Sequence, residues 1–146
     1  MTAKQWLSRG YDIDKEINAL LLAQVRVRAS MMHITPAYSG DVRVQTSVAR
    51  GDQAETAIDR LTELEKRINE RIDALTAVKA EILSAIAKVG NATLRTLLVE
   101  RYVNFKAWEA IAAGMHYDTD HVRKYLHALA LSQVRKIVFC LFFRFS

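Results

Sequence analysis

The apolar positions of residues 54–89 form the most regular pattern in the chain. They recur at Ile58, Leu61, Leu64, Ile68, Ile72, Leu75, Val78, Ile82 and Ile86, in steps of three and four. Such steps draw one stripe down one face of a helix. Glu63 and Arg67 stand four apart, the spacing of an ion pair along that helix. At ~1.5 Å per residue the helix would be about 54 Å long. That exceeds an ordinary globular helix, so the stripe calls for a coiled-coil partner. Residues 3–32 supply one as a single helix, since Trp6, Leu7, Tyr11, Ile17, Leu20, Leu21 and Val25 keep mostly the same steps. Together the two predict a long antiparallel hairpin. Between them, residues 33–53 hold the only proline, Pro36, with Gly40, Gly51 and several Ser and Thr, and read as loop. Val42, Val44, Thr46 and Val48 alternate there as a short strand would, without a partner strand.

After residue 90 the rhythm shortens. Gly90 reads as a helix stop and Asn91 as the next N-cap. A helix over 92–103 turns Leu94, Leu97, Leu98 and Tyr102 inward. A turn over 104–106 leads to a short helix over 107–113 with Trp108, Ile111 and Ala112 inward. After a turn over 114–117, Asp118 caps a helix over 119–134 with Val122, Leu126 and Leu129 inward. Three short helices, the last two joined tightly, match a helix-turn-helix layout. The chain therefore reads as all-α: a hairpin over 1–90, a three-helix module over 91–134 and an apolar tail over 135–146. Burying Val122, Leu126 and Leu129 leaves Thr119, Asp120, His121, Arg123, Lys124 and His127 exposed on the last helix. Arg123 and Lys124 can reach phosphates or guanine edges, and Thr119 and His121 can hydrogen-bond base edges. Lys106, in the turn before the second helix, completes the candidate DNA-binding set. Trp108 and Tyr102 read as core.

Composition narrows this picture. Five Gly and one Pro in 146 residues are too few for the many turns of a sandwich or barrel. The net charge of +5 is mildly basic, but its placement says more. Residues 54–90 carry six bases and seven acids, whereas residues 105–146 carry six bases and three acids, with His116, His121 and His127 besides. The C-terminal third is thus the face for a polyanion. Residues 1–7 lack the apolar run of a signal peptide. The longest apolar run, 137–143, has seven residues, far short of the ~20 that span a bilayer. The expectation is a cytoplasmic protein that does not enter membranes, its tail covered by the coil or by a subunit interface. Cys140 is the only cysteine, which excludes an intrachain disulfide and a multi-thiolate zinc site and leaves an inert thiol. His121 and His127, six apart, face different sides of a helix, so no metal or cofactor is expected. The sequence holds no Ser-His-Asp set, Gly-rich phosphate loop, HExxH or paired catalytic carboxylates, which argues against an enzyme.

Residues Arg101-Tyr102, Trp108-Glu109-Ala110-Ile111-Ala112, Asp118, Val122-Arg123 and Leu126-His127 carry a family resemblance. Over 27 residues without a gap they resemble the DNA-binding region 4 of sigma-70-type factors. There the pattern runs Arg-Tyr, an aromatic followed by Glu-Glu-Ile-Ala, a capping Ser, Val-Lys and Leu-His. Leu129 stands where that pattern has a small Ala, His116 where it has a turn Gly, and Ala107 where it often has a capping Ser or Thr. With the Thr-Ala-Lys start, Thr35-Pro36 and Tyr38-Ser39 in the loop, and the two long helices, residues 1–131 resemble a group of small phage and prophage proteins. These are the RinA/ArpU-like transcriptional regulators. The resemblance implies sequence-specific binding of double-stranded DNA in a bacterial host cell, beside RNA polymerase, with the long helices as scaffold or homo-oligomer interface. Two alternatives stay open. One is a small-terminase-like DNA-packaging recognition subunit, distinguished by a ring-sized assembly. The other is a coiled-coil protein-binding adaptor, distinguished by capture of a polymerase subunit without DNA.

Overall fold

The computed structural model describes residues 1–34 and 46–143. Among these residues every regular element is helical: α1 (Ala3–Leu7), α2 (Arg9–Ile34), α3 (Thr46–Ile86), α4 (Ala92–Tyr102), α5 (Trp108–Met115), a π-helical turn (His121–Leu126) and α6 (His127–Phe143). The all-α class is observed. Of the loop expected over residues 33–53, the described part is helical: α2 runs on to Ile34 and α3 begins at Thr46. Val42 and Val44, half of the suggested strand, lie outside the described residues, while Thr46 and Val48 are helical.

The single N-terminal helix expected over 3–32 is instead two. Thr2 caps α1 through a reciprocal pair: its Oγ1 accepts from the Gln5 backbone N–H at 3.2 Å, and its own N–H donates to Gln5 Oε1 at 2.8 Å. The break falls at Ser8. Its hydroxyl donates to the Lys4 carbonyl at 2.7 Å, and Arg9 Nε donates to the Trp6 carbonyl at 3.0 Å. The Lys4 carbonyl still accepts the Ser8 backbone N–H at 2.9 Å, but the bonds that follow change: Arg9 Nε takes the Trp6 carbonyl, and the Tyr11 N–H turns to the Ser8 carbonyl at 3.0 Å. The Arg9 guanidinium also lies 4.6 Å over the Trp6 ring and pairs with Glu81 at 2.8 Å.

The chain forms two compact units, Met1–Asp14 with Ala74–Ser146, and Lys15–Asp73. The boundary expected at residue 90 falls inside the first. In the Lys15–Asp73 unit, Ile17, Ala57 and Ile68 are buried, and Glu16 pairs with Arg71 at 2.9 Å. Val27 and Ser30 share a cleft of about 300 Å³ with Thr56 and Arg60. Low numbers on α2 thus meet high numbers on α3, so the two segments run in opposite directions. The Glu63–Arg67 spacing gives a 3.9 Å pair. The apolar stripe is only partly covered, because Leu21, Val25, Ile58 and Ile72 are exposed.

In the other unit the end of the stripe has a different role. Ile82 and Ile86 are buried with Trp6, Leu7, Leu97, Leu98, Ile111 and Val122 in one cluster. The start and end of the presumed hairpin therefore form a wall of the C-terminal core. Each such aliphatic side chain contributes roughly 1.5–3 kcal/mol through burial. α3 ends at Ile86, and Asn91 caps α4 by accepting from Thr93 N–H at 2.8 Å and Leu94 N–H at 3.3 Å. The Val89 carbonyl between them accepts from Arg95 Nη1 at 2.6 Å.

The turn after α4 reaches a positive φ of 56° at Phe105. Its ring settles on α2, 5.9 Å from Tyr11, with Lys79 Nζ 4.9 Å above it. Gly10 is buried beside it, and a Cβ there would lie 3.5 Å from both Phe105 and Leu75. The low-propensity glycine is where α2 meets this turn. Residues 135–143 are no separate tail. α6 runs unbroken to Phe143, with Ile137 and Val138 packed against the core and Phe139 and Cys140 exposed. No helix among the described residues is long and apolar enough to cross a membrane.

Candidate nucleic-acid interface

α5 starts at Trp108 without a side-chain cap, since Ala107 has none to offer. Arg101 supports the junction instead. Its Nη1 donates to the Lys106 carbonyl at 2.9 Å, and its guanidinium lies 4.6 Å over Trp108. Ile111 and Ala112 anchor α5 in the core.

The turn between α5 and the following helix differs from expectation. Gly114 does not end α5, which continues to Met115. The left-handed residue is His116, at φ 60° and ψ 37°. Its N–H reaches the Ala113 carbonyl at 3.4 Å and the Tyr117 N–H reaches Ala112 at 3.1 Å, closing the helix end as a Schellman motif. A Cβ in this region is disfavoured, and glycine is the residue that relieves it. His116→Gly should raise unfolding stability by about 1 kcal/mol, measured by urea denaturation. A loss of stability would show that the imidazole itself holds the turn.

Asp118 then caps the next helix as expected: its Oδ2 accepts from Asp120 N–H at 3.1 Å and His121 N–H at 3.4 Å. The helix widens into the π turn over His121–Leu126 before α6 begins. A π turn adds one residue to the helical repeat. Beyond it the buried set shifts by one position. Val122 is buried, but Ala130 and Val134 follow it into the core, and Leu129 points out. Leu129 was expected inside because an unbroken 3.6-residue repeat puts it there.

The same shift overturns the assignment of His127 as a DNA contact. It is only 8% exposed. Its Nε2 lies 2.5 Å from the Tyr102 hydroxyl and its ring 4.6 Å from that of Trp108. Burial, then the charges of Lys4 and Arg101, push its pKa down to about 4. Burial likewise pushes the Tyr102 hydroxyl up to about 12. On His127 the Arg123 backbone acts the other way and favours the protonated ring. The Tyr102 hydroxyl and His127 Nε2 share one hydrogen bond, and the tautomer of the ring sets which of them donates. Arg101, Tyr102, Trp108 and His127, read from the sequence as a motif, thus meet as one structural cluster.

The remaining candidates divide. Thr119 is half-buried at the helix start, and Asp120, His121, Arg123 and Lys124 are exposed. Asp120 joins the two bases: Oδ1 to Arg123 at 3.0 Å and Oδ2 to Lys124 at 3.9 Å. Lys106 sits apart in the turn before α5. It forms an ion pair with Glu100, whose carboxyl it holds below the usual range, helped by Asn104.

Two exposed aromatics were not in the candidate set. Tyr117 and Tyr125 are 48% and 58% exposed and flank His121, with ring centroids 5.7 and 5.2 Å from it. The four-residue spacing 117, 121, 125 was the available signal. The helix therefore presents a ladder of three rings beside two bases. Among the described residues no group of His, Cys, Asp and Glu could hold a metal ion. Comparison with protein-family models, curated proteins and solved structures returned no match for this chain.

Proposed function

We propose that the chain binds double-stranded DNA sequence-specifically, as a phage-type transcriptional regulator acting in the bacterial cytoplasm next to RNA polymerase. α5 and the helix from Thr119 serve as a helix-turn-helix, and the second of them enters the major groove. The long helices form a coiled-coil hairpin that scaffolds or oligomerises the protein. One observation carries this reading. The first turns of the helix that starts at Thr119, fixed to the core by Val122 and introduced by a tight left-handed turn, present Arg123, Lys124 and His121 to solvent. That is the equipment a recognition helix requires: a buried anchor on one side, bases and hydrogen-bonding groups on the other.

Fluorescence anisotropy with a pool of random duplexes, followed by selection, tests the proposal. Saturable binding is expected, with log affinity falling linearly against log salt. A folded protein that binds no duplex at low salt would end this reading.

A further inference from the structure

The bases of the candidate DNA face all have carboxylate partners inside the protein: Arg123 and Lys124 on Asp120, and Lys106 on Glu100. Lys4, Arg135 and Lys136 form no ion pair among the described residues. All three line one open cleft of about 650 Å³ between α1 and α6, together with Ala3, Leu131 and Phe139. A second cleft of about 570 Å³ shares Ala3, Arg135 and Phe139 with it and reaches Trp6 and Val138. The ring of Phe139 is 61% exposed there.

We infer that this groove is a docking site for an acidic amphipathic segment of a partner protein. The complementarity is twofold. An exposed apolar floor gains from covering by aliphatic or aromatic side chains. Cations on both the α1 and α6 walls favour carboxylates on either side of those anchors. A phosphate backbone would satisfy the cations but leave Ala3, Leu131 and Phe139 wet, so a peptide fits better than a nucleic acid. The clefts have the volume of pockets that take a few large side chains, within the ~300–1,000 Å³ common for ligand sites. The site does not depend on the DNA-binding proposal, because it uses neither Arg123 nor Lys124.

The test uses the full-length chain and a fluorescein-labelled twelve-residue probe with Leu or Phe at positions 1, 4, 5 and 8 and Asp or Glu elsewhere. A second probe replaces every acid by its amide. The acidic probe should bind saturably, and the amide probe at least tenfold more weakly. Arg135→Glu/Lys136→Glu should weaken the acidic probe at least tenfold, and Phe139→Ser should weaken both probes. These side chains are exposed, so helical circular dichroism should be unchanged, and Arg123→Ala/Lys124→Ala should bind the acidic probe as wild type does. Equal binding of the two probes would overturn the inference. So would an undiminished affinity in the folded charge-reversed variant. Displacement of the probe by duplex DNA in a manner that requires Lys136 would assign the groove to nucleic acid instead, and would equally overturn it.

Discussion

Lowering the pH from 6.5 towards 4 should remove about 3 kcal/mol of folding stability through the single side chain His127. Buried between Tyr102 and Trp108, its ring is held neutral with a pKa pushed down to about 4, from an ordinary 6.5. In the unfolded chain the ring is hydrated and takes up its proton at the ordinary value. Between those limits the unfolded state binds more protons, so stability falls as the pH falls, and the loss levels off below about 4. The slope reaches about 1.4 kcal/mol per pH unit. Urea denaturation at intervals from pH 7 to 4.5 measures the effect. His127→Gln keeps an acceptor for Tyr102 but cannot titrate, so the slope attributable to position 127 should vanish in it. Identical slopes in the two proteins between pH 6.5 and 5 would show that the ring is solvated.

That buried histidine also shows where the sequence was legible and where it was not. Periodicity located every long helix, because stripes such as Leu94, Leu97, Leu98 and Tyr102 do bury one face. Asn91 and Asp118 were legible as caps because short polar side chains before an apolar run have one evident use. Periodicity failed where the helix changed its repeat. The π turn at His121–Leu126 moves Leu129 outward and His127 inward, and no residue type announces such a turn in advance. Glycine misled twice: Gly51, read as loop, lies inside α3, and at Gly114 the left-handed conformation fell to His116, which carries a Cβ. The break at Ser8 was hidden for another reason. It depends on the Arg9 side chain taking the Trp6 carbonyl while the Tyr11 N–H turns back to Ser8, a choice that the stacking of Arg9 on Trp6 helps to settle. At the candidate site, the exposed bases were readable from charge and phase, since Arg123 and Lys124 precede most of the shift. Tyr117 was legible only as part of the turn over 114–117 and Tyr125 had no role, because contacts between exposed rings such as those of both with His121 leave no mark in hydrophobic periodicity.

The double variant Arg123→Ala/Lys124→Ala should reduce duplex affinity on the order of a hundredfold and lower the slope of log affinity against log salt by about two. Both side chains are about half or more exposed, so their removal leaves the core untouched, and denaturation curves should superimpose on wild type. Their pairing with Asp120 does not forbid the role. An exposed ion pair is worth only ~0–1 kcal/mol, less than a charge-assisted contact with a phosphate or a guanine edge. The pairing does set a sign. Asp120→Asn frees both bases and removes a negative charge from the presumed groove face, so it should tighten binding several-fold. The two bases should also separate in kind. Loss of a phosphate contact weakens all sequences alike, whereas loss of a base-edge contact relaxes the preference at one position. Binding selections with each single variant would assign the roles. Unchanged affinity in the folded double variant would place the DNA surface elsewhere on the molecule, and unchanged affinity in Asp120→Asn would show that Asp120 does not compete with the DNA for the two bases.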